Sequence, residues 1–222
     1  MKDLLVVGVH PDDETLGCGG VLLRNIAKRN PVHWLLITSV SQEGGFSEED
    51  VHRQQEIVET VNNAYPFSSF TWLKFPTTKV DTIPQRELVN AIATVFEKVR
   101  PYTVILPFYN DPHSDHQYVF SAGYSCTKSF RYPSIHRILM METPSETDFA
   151  SPFPAGGFIP NFFVDITEFM GKKKEILSLY SSELGKHPFP RSSLGIEALA
   201  TLRGASTGSL YAEAFMLLKE RV

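Results

Sequence analysis

Two cysteines, Cys18 and Cys126, are all that 222 residues contain, too few for a disulfide framework or a thiolate zinc site. No apolar run approaches the roughly 18 residues that a membrane span requires. No positively charged segment precedes Leu4 in the manner of a secretory leader. The expectation is a soluble cytoplasmic protein without a membrane span. Basic blocks are missing as well. Lys172-Lys173-Lys174 is the only basic triplet, read as a solvated helix face, and the formal charge is −4. Nucleic acid is therefore not an expected partner. Repeats, low-complexity tracts and separating linkers are also absent, so residues 1–222 read as one domain. What is abundant is core material: 42% of the residues are hydrophobic and 16 are Phe.

The most informative stretch lies near the start. Leu4 to Val7, continued by Val9 across Gly8, is an apolar run suited to a strand buried on both faces, as in parallel sheets. It stops in His10, Pro11, Asp12, Asp13 and Glu14. Pro11 holds His10 toward an extended backbone. Adjacent acids repel one another and resist desolvation unless a cation sits among them. The chemistry of open α/β sheets gathers where strands end, so a site belongs here. Gly17 to Gly20 then read as a sharp turn before a helix from Val21 to Lys28. A dinucleotide fingerprint would need glycine at position 22, where Leu22 stands, and the acids would repel a pyrophosphate.

Further strands are expected at His33 to Thr38, Phe70 to Phe75, Thr103 to Pro107, Arg137 to Glu142 and Phe162 to Ile166. Helices are expected from Ser47 to Asn63, Asp81 to Val99, Gln117 to Phe130, Thr167 to Ser182 and Ser192 to Ala205. Ser47 with Asp50 is an acidic capping box. Leu88, Ile92, Val95, Phe96 and Val99 have core-facing helical spacing. Thr143 to Pro160 has no period and reads as a lid, a substrate wall or a plain connection. Alternating strands and helices imply an α/β fold: three-layer, Rossmann-like, a mostly parallel sheet with helices on both faces.

A second polar cluster, His113-Ser114-Asp115-His116, follows the strand at Thr103 to Pro107. Parallel strands end on one edge of a sheet, so the two clusters can face each other. Together they offer imidazoles and carboxylates in the manner of a catalytic zinc site with an open position. Two histidines and a carboxylate also suit Fe(II) in a non-haem oxygenase, and a non-catalytic metal-binding module is the third reading. His33, His52, His136 and His187 read as structural or solvated. Arg53 and Glu56 have the spacing of a helix surface pair.

His10-Pro11-Asp12-Asp13-Glu14 with His113-Ser114-Asp115-His116 resembles the LmbE-like (PIG-L) family of metal-dependent de-N-acetylases. Its members remove acetyl groups from N-acetylglucosamine-type conjugates. The resemblance runs through the Arg53…Glu56 helix to Arg203-Gly204 and Tyr211-Ala212-Glu213-Ala214-Phe215. Ser114 stands where proline is common, which changes no ligand. The resemblance implies zinc, with Fe(II) as an alternative, held by His10, Asp13 and His116. It implies Asp12 as general base, His113 beside the developing oxyanion, and Asp115 orienting His113. Arg53, Tyr211 and Arg203 are the implied substrate-binding residues. The implied partner is a small amino-sugar conjugate, with self-association left open.

Overall fold

The computed structural model describes residues 2–153 and 156–222. Seven strands form one sheet: β1 (Leu4–Gly8), β2 (Val32–Ser39), β3 (Ser69–Pro76), β4 (Thr103–Leu106), β5 (Arg137–Met141), β6 (Phe162–Asp165) and β7 (Ala212–Glu220). Among the described residues six α-helices accompany them: α1 (Asp13–Ala27), α2 (Glu48–Ala64), α3 (Gln85–Val99), α4 (Ser114–Ser125), α5 (Met170–Leu177) and α6 (Ser193–Ala205). The strand order is β3-β2-β1-β4-β5-β7-β6. β3, β2, β1, β4 and β5 are parallel to one another, whereas β7 runs antiparallel to both β5 and β6. Among the described residues no helix is long and apolar enough to cross a membrane.

Strand alternation makes the layers. Leu4, Val6, Trp34 and Leu36 face a core shared with α1, α2, α5 and α6. Leu5, Val7, Leu35 and Ile37 face the opposite core, built with Leu88, Ile92 and Phe96 of α3 and Val119 of α4. This is the three-layer α/β arrangement that the alternating pattern implies. β1 lies between β2 and β4, and the chain leaves it in one direction for β2 and returns on the other side as β4. That reversal opens a crevice beyond the strand ends.

The expected turn at Gly17 to Gly20 is not one. These residues lie inside α1, which is kinked at Cys18 (φ −151°, ψ 18°). The kink frees backbone groups that a continuous helix would pair. Glu213 accepts hydrogen bonds from the Gly20 and Val21 amides at 2.8 and 2.7 Å, while Lys173 Nζ donates to the Leu16 carbonyl at 2.9 Å and to Glu213 at 2.7 Å. The glycines serve close packing instead of turning. A Cβ at Gly20 would sit 2.7 Å from Ile166, and one at Gly17 would sit 2.6 Å from Met141 Sδ.

Other boundaries also differ. α4 begins at Ser114 with His113 as its N-cap and ends at Ser125, so the second polar cluster is a helix start and not a loop before one. α3 begins at Gln85, after a separate 3-10 turn at Val80–Thr82. α5 is shorter than the expected Thr167 to Ser182. The capping box at Ser47 and Asp50 is formed in both directions.

Candidate metal centre

The two polar clusters meet because β1 and β4 are neighbours. After β1, Val9 is tied to β2 by hydrogen bonds from Thr38 N and Oγ1 to its carbonyl (3.0 and 2.8 Å). Asp13, the first residue of α1, folds back so that Oδ2 accepts from the Val9 and His10 amides at 2.8 and 2.9 Å. After β4, the start of α4 presents His113 and His116. The His10 ring lies 4.5 Å from that of His113 and 5.3 Å from that of His116, centre to centre.

One ligand atom from each of His10, Asp13 and His116 falls within 4.8 Å of the others. His116 shows what this trio lacks. Its Nδ1 is bonded to Asp111 Oδ2 at 2.8 Å, and Asp111 is held by Thr147 Oγ1 at 2.7 Å. Its Nε2 is buried without a hydrogen-bond partner among the described residues, 3.5 Å from Asp13 Oδ2. Burial opposes charge on this ring, but Asp13 and Asp111 outweigh it and raise the pKa to about 9. The pocket is therefore a place for positive charge, and a divalent ion fits it as a proton does. The Asp111–His116 bond is the arrangement that fixes the tautomer of a metal-binding imidazole.

A second grouping, His10, His113 and Asp115, also lies close together, but Asp115 is already engaged. Its Oδ2 accepts from the Thr78 amide at 2.7 Å and sits 3.1 Å from His10 Nε2, and its Oδ1 accepts from the Val80 amide at 3.1 Å. Burial opposes its charge, yet these bonds prevail and its pKa lies below the ordinary carboxylate value. The carboxylate therefore orients His10, not His113 as the resemblance implied. His113 is held by the Asp115 backbone instead: Nδ1 accepts from that amide at 3.2 Å. Burial, with His10 nearby, lowers the His113 pKa. The neutral ring then carries its hydrogen on Nε2.

Asp12 is 3% exposed and has φ 120°, in the region that favours glycine. Burial, then the adjacent Asp13, pushes its pKa well above the usual range, while Arg191 opposes the shift. Arg191 Nη1 donates to Asp12 Oδ2 at 3.0 Å. Below it, Glu14 Oε1 accepts from Thr15 Oγ1 at 2.6 Å and Tyr180 OH at 2.9 Å. Burial raises Glu14 to a pKa of about 7.

His10, Asp12, Asp13, His113 and His116 face a cleft of about 420 Å³, walled by Phe46, Arg53, Glu146, Glu183 and Arg191. Thr143, Ser145 and Glu146 contribute to it, so part of the stretch Thr143 to Pro160 is wall. Pro154 and Ala155 of that stretch lie outside the described residues. Arg53 stands at the cleft with its guanidinium on Glu49 (2.8 Å) and Asp50 (3.2 Å). Its expected partner Glu56 is instead 3.5 Å from His52. Two expected substrate-binding residues are elsewhere. Arg203 forms a two-pronged pair with Glu142 (2.9 and 2.7 Å) beside a separate cavity of about 490 Å³. Tyr211 donates to Glu197 of α6 at 2.9 Å.

Sequence reasoning did not single out Asp111, Glu146 or Arg191. Asp111 had a usable signal: a carboxylate in a strand-end loop next to two histidines. Arg191 had none, since its partner Asp12 is 179 positions away.

The chain is 25% identical to diacetylchitobiose deacetylase of Thermococcus kodakarensis over 96% of its own length and 82% of that protein. Among solved structures, N,N'-diacetylchitobiose deacetylase from Pyrococcus horikoshii is similar with a TM-score of 0.77 and 19% identity, covering 98% of this chain and 84% of that one. A 4-carboxy-2-hydroxymuconate hydratase from Pseudomonas putida has a TM-score of 0.78 at 16% identity, covering 100% and 98%. The shared fold thus hosts more than one chemistry. The family model described as PIG-L, GlcNAc-PI de-N-acetylase, matches residues 5–127, a span that holds both polar clusters and more than half of the chain. On that match, the chain belongs to the PIG-L family.

Proposed function

We propose that this chain is a divalent-metal-dependent hydrolase that removes the acetyl group from an N-acetylated amino sugar, an amide C–N bond outside peptides. The observation that carries the reading is the buried, unpartnered His116 Nε2 facing Asp13 and His10, with Asp12 and His113 beside it. Membership of the PIG-L family and the deacetylase named among its relatives support the choice of substrate class.

His10, Asp13 and His116 would hold the ion. Two imidazoles and a carboxylate suit zinc with an open position, and Fe(II) takes the same set. A divalent ion held by these residues would supply Lewis-acid activation of the acetyl carbonyl and of water. The chain's own groups supply the rest. Asp12, its pKa raised by burial, accepts the proton of the attacking water and passes it to the departing amine. His113 Nε2–H donates a hydrogen bond to the developing oxyanion. Asp115 holds the His10 ring, and Asp111 holds that of His116. An oxygenase built on the same three ligands would leave Asp12 and His113 without work.

The test measures acetate release from N-acetylglucosamine and N,N'-diacetylchitobiose, with the metal content of the variants. Wild type loaded with Zn²⁺, Co²⁺ or Fe²⁺ is expected to release acetate. Asp13→Ala is expected to lose both metal and activity. Asp12→Asn should keep its metal and lose about 10²–10⁴-fold in kcat. Absence of acetate release from every N-acetylated sugar under every metal overturns the reading. Full activity after exhaustive chelation does the same.

A further inference from the structure

We propose that Arg191 is a positioning residue for Asp12: it pins one carboxylate oxygen and leaves the other as the proton acceptor. The inference rests on the reading of Asp12 as general base. Asp12 is held at two points. Its amide donates to Glu14 Oε2 at 3.3 Å, which supports the φ of 120°. Its Oδ2 receives Arg191 Nη1 at 3.0 Å. Among the described residues no donor reaches Asp12 Oδ1. A carboxylate free to rotate would present either oxygen to the reacting water. With Oδ2 occupied, only Oδ1 is available, in one orientation. Such restraint is what effective proton transfer within a site requires.

Arg191 is itself fixed well enough for this role. Its Nη2 lies 3.4 Å from Glu183 Oε2, and its guanidinium stands 5.5 Å from the centre of the Phe189 ring. Ser192, the next residue, N-caps α6 by accepting the Gly195 amide at 3.0 Å. The backbone before the guanidinium is thus tied to a helix start. The planar fork serves Asp12 through one nitrogen and Glu183 through the other, a geometry that lysine cannot reproduce. Among the described residues Arg191 is the only Lys or Arg that pairs with Asp12, Asp13 or Glu14. The contact brings the C-terminal part of the chain, outside the stretch matched by the family model, into the site.

The experiment is a double-mutant cycle between Arg191→Met and Asp12→Asn, with Arg191→Lys alongside. It reads kcat and KM for N,N'-diacetylchitobiose, metal content and melting temperature. Arg191→Met is expected to lower kcat roughly 10–100-fold, as loss of an outer partner does at comparable sites, with KM and metal content unchanged. In the Asp12→Asn background the same substitution should cost nothing further in kcat. Arg191→Lys should recover only part of the loss. Arg191→Met should also lower the melting temperature by leaving a buried carboxylate unpaired, and Asp12→Asn should restore most of it. Additive kcat losses overturn the proposal. So does a rise in KM with kcat unchanged, which would make Arg191, at the cleft wall, a substrate contact. A wild type that releases no acetate overturns the deacetylase reading instead, and the melting cycle then still decides the pairing: additive shifts in melting temperature refute it.

Discussion

Asp12 and Asp13 are neighbours of one residue type, yet their surroundings divide their work. Asp13 Oδ2 is committed to the Val9 and His10 amides, which places its carboxylate against His116. Asp12 is turned away by its backbone and meets Arg191. The histidines divide in the same way, according to what each ring's other nitrogen touches: His116 on Asp111, His10 on Asp115, His113 on a backbone amide. Two substitutions separate these roles. Asp111→Asn loosens the His116 ring, which is proposed to bind the metal, so metal affinity should fall about 10–100-fold, read by competition with a chelating dye. His113→Ala should keep the metal and lower kcat roughly 10²–10³-fold, as loss of one oxyanion donor does. Loss of metal in His113→Ala would make His113 a ligand and bring the second grouping with Asp115 into play.

Glycines in α1 carry the corresponding lesson for elements. In an exposed helix, glycine to alanine stabilises by about 0.4–1 kcal/mol because it restricts the unfolded chain. Gly171 in α5 has open space around its would-be Cβ, so Gly171→Ala should stabilise by that amount. At Gly20 the sign reverses. A Cβ there meets three atoms of Ile166 at 2.7 to 2.8 Å, and overpacking a filled core costs about 1–3 kcal/mol. Urea denaturation of both variants checks the contrast. Equal stabilisation would mean that α1 does not lie against Ile166 as described. The close approach has a use, because α1 starts at Asp13, a proposed ligand. Gly17, Gly19 and Gly20 let its first turns sink against Met141, Tyr65 and Ile166, holding Asp13 at the crevice.

Over the whole molecule, the buried acids make stability depend on pH and metal together. Without metal, His116 has a folded pKa of about 9 against an ordinary 6.5. Its stabilisation is complete below 6.5 and is lost as pH rises through 9. Glu14 is raised from 4.5 to about 7. The folded chain therefore holds that proton more tightly than the unfolded chain does, and stability again falls as pH rises from 4.5 through 7. Both shifts run the same way, so the metal-free protein should lose stability between about pH 5 and 9. An ion bound at the proposed site would take the place of the His116 proton, so added Zn²⁺ should raise the melting temperature, increasingly with concentration, and most at the alkaline end. Thermal melts across pH with chelator and with Zn²⁺ check this. A melting temperature unaffected by Zn²⁺ at pH 8 would contradict the metal centre.

Much of this molecule was legible before any coordinates. Apolar runs such as Leu4 to Val7 specify strands buried on both faces, since nothing polar is present to mark a solvent side. The box of Ser47 and Asp50 starts α2 by contacts within one turn. The alternation of strand and helix carries the layered sheet, and each polar cluster is visible where its strand stops. All of these are local: they depend on residues within a few positions of each other. What needed the tertiary structure is long-range. Gly17 to Gly20 look like a turn until Glu213 and Lys173, from the far end of the chain, splice the kinked helix. Asp115 looks like a partner for its neighbour His113, but the fold of the crevice turns its carboxylate to His10 and the Thr78 and Val80 amides. Arg203 and Tyr211 find carboxylates away from the cleft, while Arg191, unremarkable in a Pro-rich turn, reaches Asp12. A side chain's chemical type is written in the sequence. Which of several chemically equivalent partners it meets is decided by chain topology, because the pairing must satisfy every buried charge around it at once.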